Sequence, residues 1–241
     1  MRQLLDYVIT ARSGVLVGST ATAVSIGIDK TTMRRMTRDE RKRGSPVIPA
    51  STIKGKVRNQ CERLLLSLGY EICRAPRADT MCPHYMLKSP TPNGRCSICA
   101  LFGSPGLPSR LLFSDAIARL NDQEAKSNLA FHTMLIQAGV AISRKRRVAE
   151  DERLYFIERG IEGLSYAGRI EGDLSPDDAE KQAALLIVAI ENLVALGGSK
   201  SRGAGWIETK VNGLELGKQI FTTSEELQRL RGRIVTWRIS K

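Results

Sequence analysis

Two segments of this chain carry residues suited to holding phosphate. One is Gly197-Gly198-Ser199-Lys200-Ser201-Arg202-Gly203-Ala204-Gly205, where four glycines surround two cations. Glycines expose main-chain N–H groups and the cations bring positive charge to the same place, a combination that suits a polyanion. The other lies far upstream, in Pro49-Ala50-Ser51-Thr52-Ile53-Lys54-Gly55-Lys56-Val57-Arg58. There Ser51 could N-cap a helix, with Lys54 and Arg58 one helical turn apart near its start. Like charges at that spacing repel, which suggests an anion between them. A helix C-cap glycine with solvated cations would explain the first segment alone, and a solvated helix edge the second. Two such segments in one chain favour phosphate.

A third group of residues is suited to metal. Cys96 and Cys99 have the two-residue spacing that lets both thiolates reach one tetrahedral ion. Cys82 supplies a third ligand, and either His84 or Cys73 could complete the shell. The surrounding residues 70–110 are rich in Pro, Cys and Gly and read as an insertion without regular structure, which has little core and needs a staple. A full four-ligand site is structural, so zinc is the expected ion. Free thiols in a loop are the competing explanation. Cys61 falls on the apolar face of the helix that starts near Ser51 and reads as core.

Other candidates for chemistry are fewer. Asp29 ends a strand-like stretch, Val24-Ser25-Ile26-Gly27-Ile28, and on its own reads as the start of a turn. Asp115 is another strand-end acid and reads as structural. His132 sits on a strand-like segment, as a core or edge histidine. With two histidines in the chain, a histidine-pair ribonuclease mechanism is disfavoured. Arg144-Lys145-Arg146-Arg147 would ordinarily be a solvated patch, but it lies between two strand-like stretches.

The elements that must position these residues follow from periodicity. The chain has 241 residues, enough for one large domain with an ample core. Residues 4–28 alternate around Gly14 and Gly18 as two strands and a turn. Asp29 to Ser45 reads as an arginine-rich loop. Ile53, Val57, Cys61, Leu64, Leu65 and Leu68 line one face of a helix. Residues 111–116, 133–143 and 153–172 read as strands. Ser175-Pro176-Asp177-Asp178 is a good helix start, for an apolar helix running to Leu196. Strand, strand, helix, strands, helix, strand predicts an α+β sheet with helices on one face, of ferredoxin-like type.

Charge points to the partner. Lys and Arg number 37 against 25 acids, a net +12, and the excess is clustered, so nucleic acid is favoured over generic basicity. The start of the chain is too short and polar for a signal peptide, and no apolar run reaches transmembrane length. We therefore expect a cytoplasmic protein without membrane association, its cysteines reduced.

With these pieces in place the sequence resembles the RAMP superfamily of CRISPR-associated proteins, and most of all the repeated backbone (Csm/Cmr-type) subunit of type III effector complexes. Four segments carry the likeness. They are Pro49 to Arg58, like a Pro-x-Ser-x-Lys-Gly-x-x-Arg helix start, and Cys96 to Ser104, like Cys-x-x-Cys-x-x-Phe-Gly. Gly139-Val140-Ala141-Ile142-Ser143-Arg144 leads into a hairpin and then Phe156-Ile157-Glu158, and the loop Gly197 to Gly205 is the fourth. The resemblance implies a single RAMP domain over residues 1–241. Its core would be a modified RNA-recognition-motif or ferredoxin-like fold, with a zinc-binding insertion at about 70–110 and a thumb-like β-hairpin at about 143–160.

It also implies a role in antiviral defence, in which copies stack along a guide (CRISPR) RNA. Ser51, Lys54, Arg58, Gly198, Lys200, Ser201 and Arg202 would hold guide phosphates, and Arg144, Lys145, Arg146 and Arg147 would lie on the ascending arm of the thumb, touching RNA. Phosphate contacts position a strand without reading it, as any guide requires. The same resemblance makes Asp29 the candidate catalytic residue of a metal-dependent (Mg or Mn) endoribonuclease, a hydrolase cutting target RNA. Asp29 would hold a divalent ion or orient the attacking 2′-hydroxyl, and Arg34, Arg35 and Arg38 would neutralise charge on the phosphate. Expected partners are guide RNA, target RNA, further copies or related RAMP subunits, and the large and small subunits of the complex. The alternatives are a non-catalytic guide-binding scaffold of the same complex, a RAMP endoribonuclease that processes the guide precursor, and an unrelated zinc-bearing RNA-binding protein acting alone.

Overall fold

The computed structural model describes residues 3–18, 27–35, 44–84, 95–119, 133–217 and 219–236. Its centre is strand β1 (Gln3–Ala11), where Leu5, Tyr7, Ile9 and Ala11 are buried while Asp6, Val8 and Thr10 are partly exposed. That period of two is the alternation of a strand covered on one face. β1 pairs antiparallel with β7 (Ser165–Gly172) on one side and β8 (Ile207–Leu216) on the other. β4 (Ala116–Arg119) pairs with β7 beyond it. Short strands extend the sheet: β2 (Val47–Ile48) on β4, β3 (Leu111–Phe113) on β7 and β9 (Gln219–Phe221) on β8.

Helix α1 (Ala50–Ser67) crosses between β1 and β4, burying Ile53, Val57, Cys61 and Leu65 as the spacing predicts. Helix α2 (Ser97–Phe102) is a short piece of the cysteine-rich insertion. Helix α3 (Ala179–Glu191) crosses between β7 and β8 and is buried on most sides, because it packs against β8, α1 and a last helix, α4 (Ser224–Thr236). The order β1–α1–β4–β7–α3–β8 and the sheet order β4-β7-β1-β8 make the expected α+β, ferredoxin-like core.

Several details depart from expectation: the insertion carries a 3-10 turn (Ala78–Thr80) and helix α2, and residues 111–116 divide between β3 and β4. The stretch 153–172 is two strands, because Gly163 turns the chain with φ 81°; β6 (Ala149–Gly160) leaves the main sheet and pairs with β5 (Met134–Ile142) as a separate hairpin. That hairpin therefore begins well before residue 143. Arg144–Lys145–Arg146 form the turn at its tip, not its ascending arm, and Arg147 follows in a left-handed conformation. The second apolar helix opens with a 3-10 turn at Pro176–Asp178 and stops at Glu191 rather than Leu196; Leu196 instead donates its N–H to Gly205 at 2.8 Å. Beyond β1, Val15 and Gly18 form isolated bridges, and residues 19–26 of the expected second strand lie outside the described residues.

Helix α4 was not expected. Thr223-Ser224-Glu225-Glu226 starts it as a capping box: Glu226 N–H donates to Thr223 Oγ1 at 3.3 Å and Thr223 N–H to Glu226 Oε2 at 3.2 Å. A bidentate pair from Arg231 to Glu191, at 2.6 and 2.7 Å, fastens α4 to α3.

Candidate nucleic-acid interface

The glycine-rich loop lies against the segment that leaves β1. Gly197 (φ 81°) runs so close that a Cβ there would stand 2.1 Å from the Leu16 carbonyl oxygen, so only glycine fits. Gly198 N–H donates to that same oxygen at 2.8 Å and Gly205 N–H to Gly14 O at 2.9 Å. Arg202, Gly203 and Ala204 bond back within the loop. The amides on which a phosphate nest would draw are thus largely committed to the fold. What the loop offers outward is side chains: Lys200, Ser201 and Arg202 are exposed.

Helix α1 brings a cation to them. Lys56, which sequence reasoning passed over, stands beside Lys200. A hydrogen-bond contact with the Lys200 amine, partial burial and then repulsion from its charge hold the Lys56 ammonium below the ordinary lysine range. Two amines in that relation form a site an anion would stabilise. Lys56 was legible as a basic residue of Lys54-Gly55-Lys56; that it faces the loop while Lys54 turns away is a matter of helical phase. The loop also reaches the hairpin, where Arg202 Nη1 donates to the Tyr155 hydroxyl at 3.2 Å. Tyr155 lies across the hairpin over Gly139, where a Cβ would come within 2.4 Å of its ring.

The other residues assigned to phosphate are placed differently. Ser51 is exposed just inside the helix and does not cap it; Pro49 is the N-cap, and the Asp115 carboxylate accepts from Ala50 N–H at 2.8 Å. Asp115 is thus structural, as expected, and favourably placed on the helix dipole. Arg58 is held by Glu62 (2.9 Å) and by the Gly103 carbonyl (3.0 Å), and its Nη2 lies 3.6 Å from Cys99 Sγ. Glu62, one turn on, offsets the charge that an anion between Lys54 and Arg58 would otherwise have met. Lys54 keeps its place on the surface, with burial and then the Arg58 charge lowering its pKa.

Arg58 leads to the cysteines. The Sγ atoms of Cys73, Cys82, Cys96 and Cys99 lie within 4.8 Å of one another, and all four residues are buried. Cys73 and Cys99 sulfurs are 3.2 Å apart and Cys96 and Cys73 3.5 Å apart. A tetrahedral zinc with bonds of about 2.3 Å would set its sulfurs about 3.8 Å apart, so the quartet can hold a metal ion such as zinc. Hydrogen bonds from Cys73 and Cys99 hold the Cys96 thiol far below its ordinary range, and the same contacts push Cys73 up. His84 is exposed and outside this group. Cys73 takes the fourth place because Arg74 N–H bonds Thr80 O at 2.9 Å and folds the chain back on itself.

Asp29 is exposed, and its Oδ2 accepts from Phe156 N–H at 2.7 Å while its own N–H donates to Phe156 O at 3.0 Å. It is thereby fixed to the middle of the hairpin, one residue along β6 from the tyrosine that meets Arg202. Arg34 does not turn to solvent: it is paired with Glu158, which is 3% exposed and also accepts from Thr32 N–H at 3.1 Å. Arg35 is exposed, while Arg38 and His132 lie outside the described residues. Among the described residues the four thiols are the one group of three or more potential metal ligands, so a divalent ion at Asp29 would take most of its ligands from RNA and water.

The face of the sheet away from the helices offers RNA little. It shows Asp6, Arg169, Glu171, Glu208 and Lys210, joined in ion pairs such as Arg169–Asp6 at 3.0 Å and Lys210–Glu208 at 3.1 Å. The aromatic rings of β1 and β7, Tyr7 and Tyr166, are buried on the opposite side. The central strands β1 and β7 therefore offer no exposed ring for the base stacking of RNA-recognition motifs, although Trp206, just before β8, is half exposed. The basic residues of α1, the loop and the hairpin tip are the other surface suited to a strand.

Residues 9–208 match the family model of the RAMP superfamily, and the chain belongs to that superfamily. A comparison with curated proteins gives no match. Membership implies a CRISPR-associated, RNA-binding subunit of a multi-subunit complex. No helix among the described residues is long and apolar enough to cross a membrane.

Proposed function

We propose that this chain is a backbone subunit of a type III CRISPR effector complex, binding guide RNA along its phosphates. The observation that carries the reading is the meeting of Lys56 and Lys200, two cations from the two phosphate-suited segments, at one exposed place. Arg202 adds a cation from the loop, Lys54 adds one on the other flank of α1, and Arg144 to Arg147 add further cations at the hairpin tip. Zinc in the four-cysteine site, with Arg58 against its sulfur, would brace the insertion behind α1. Further copies, the large and small subunits and target RNA are the partners this reading supplies. Binding is tested by titrating labelled single-stranded RNA against salt. Affinity that falls steeply with salt and ignores sequence supports the proposal, and salt-independent or absent binding contradicts it.

Cleavage of target RNA is the second part of the proposal, favoured by one observation: Asp29 is exposed yet immobilised by Phe156. A carboxylate has about four lone-pair sites, and the Phe156 N–H takes one. The others could accept from a 2′-hydroxyl aligned on the adjacent phosphorus. As the 2′-oxygen bonds phosphorus its proton goes to Asp29, the bond to the 5′-oxygen breaks, and that oxygen leaves with a proton taken from solvent water, giving a 2′,3′-cyclic phosphate; Asp29 later returns its proton to water. A magnesium or manganese ion would supply charge neutralisation at the phosphate. In the guide-loaded complex, Asp29→Ala should abolish cutting opposite this subunit while guide and target binding survive. Cutting that persists makes the chain a scaffold.

A further inference from the structure

On the side of α1 away from the glycine-rich loop, the cysteine insertion stands off the helix and leaves a cavity of about 520 Å³. That volume falls in the range of small-molecule pockets, about 300–1,000 Å³. Its walls are of two kinds. Pro76 and Met81 on one segment of the insertion and Phe102, Pro105 and Leu107 on another make it apolar. Phe102 is steadied by the ring of Phe113, stacked at 6.2 Å. Lys54 and Arg58 supply the charge. Since Arg58 is engaged by Glu62, Gly103 and Cys99, the ammonium left for an incoming anion is Lys54, which has no ion pair among the described residues. One polar atom among the lining residues is unsatisfied: the Ser104 hydroxyl is buried without a hydrogen-bond partner. A buried hydroxyl left so is costly, and a ligand that bonds it recovers the loss.

A ligand matching all three features has a flat, largely apolar body, a hydrogen-bonding edge and an anionic handle. That describes one nucleotide. We propose that this pocket receives a single unstacked nucleobase of the RNA bound on α1, with the base between Pro76 and Pro105, its edge on the Ser104 hydroxyl and its phosphate on Lys54. The inference rests on the RNA-binding reading above. It adds that the strand is gripped on both flanks of α1, by phosphate at Lys56–Lys200 and by a base at Lys54. Base insertion between these walls also gives the insertion a reason to be stapled by four thiols, since a pocket must hold its shape to select a flat ring.

The test is a scan of 2-aminopurine through a single-stranded RNA bound to the full chain, with Leu107→Trp, which fills the pocket, as the comparison variant. The expected result is one position whose fluorescence rises on binding because its base has left the stack. In Leu107→Trp that signal falls to the level of its neighbours and the RNA binds about tenfold more weakly. Ser104→Ala, a smaller change, lowers the same signal and guards against misfolding of the tryptophan variant. If RNA binds with its full salt dependence and no position brightens, or the bright position ignores both variants, the pocket proposal is overturned and the phosphate reading stands. If RNA does not bind at all, both fall. If adenosine monophosphate protects the pocket from modification while RNA does not, the occupant is a free nucleotide and the proposal is likewise wrong.

Discussion

The substitution Lys56→Gln removes a charge that the folded chain holds against Lys200. In the unfolded chain the two amines are far apart in sequence and in space, so their repulsion is a cost of folding alone. Neighbouring like charges on a protein surface cost about 0.2–0.5 kcal/mol. For a chain of this length each kcal/mol moves Tm by about 2–4 °C, so Lys56→Gln should raise Tm by up to about 2 °C. RNA binding should move the other way. Each phosphate contact on a single strand contributes about 0.7 to the slope of log K against log salt, so losing one removes a factor of about five per decade of salt. Thermal denaturation and fluorescence anisotropy of labelled RNA across a salt series read the two effects on one preparation. In a Lys200→Gln background the gain in Tm should vanish, because the repelling partner is gone. A fall in Tm with an unchanged salt slope would refute the reasoning, since it would mean Lys56 serves packing and not an anion.

Three further outcomes follow from the same geometry. The purified chain should carry about one zinc, and Cys96→Ser or a chelator should release it and open residues 70–110 to trypsin, measured by metal analysis and limited proteolysis; resistance without metal contradicts the site. Arg58→Ala should weaken zinc affinity by about 10–100-fold through loss of the guanidinium beside Cys99, read by competition with a chromogenic chelator; unchanged affinity would reduce Arg58 to a helix contact. Arg34→Ala strands the buried Glu158 carboxylate and should lower Tm by on the order of 10 °C, while Arg34→Met with Glu158→Gln should recover much of that loss; equal losses in both would show that the pair is not the cause.

Much of the core was legible because it rests on period. Ile53, Val57, Cys61 and Leu65 repeat at helical spacing, and Leu5, Tyr7, Ile9 and Ala11 at strand spacing, and all eight are buried. Helix α4 also has a sequence sign, Thr223 followed three residues later by Glu226. What periodicity does not carry is which way a polar side chain turns when several partners compete. Arg34 and Arg58 are arginines among other arginines in sequence. In the fold one satisfies a buried glutamate and the other a sulfur and a carbonyl. The quartet depended on Cys73 and Cys82 coming together across a fold of the insertion, which sequence spacing leaves open. The role of Lys56 is not legible locally because its partner lies on a loop more than a hundred residues away.

The central claim is that RNA lies along α1, the glycine-rich loop and the hairpin tip, not across the sheet. Ultraviolet cross-linking of bound RNA followed by mass spectrometry of the protein tests it most directly. The account predicts cross-links in the peptides that contain Lys54 to Arg58, Lys200 to Arg202 and Arg144 to Arg147. Cross-links concentrated at Arg169 and Lys210, on the open face of the sheet, would contradict it.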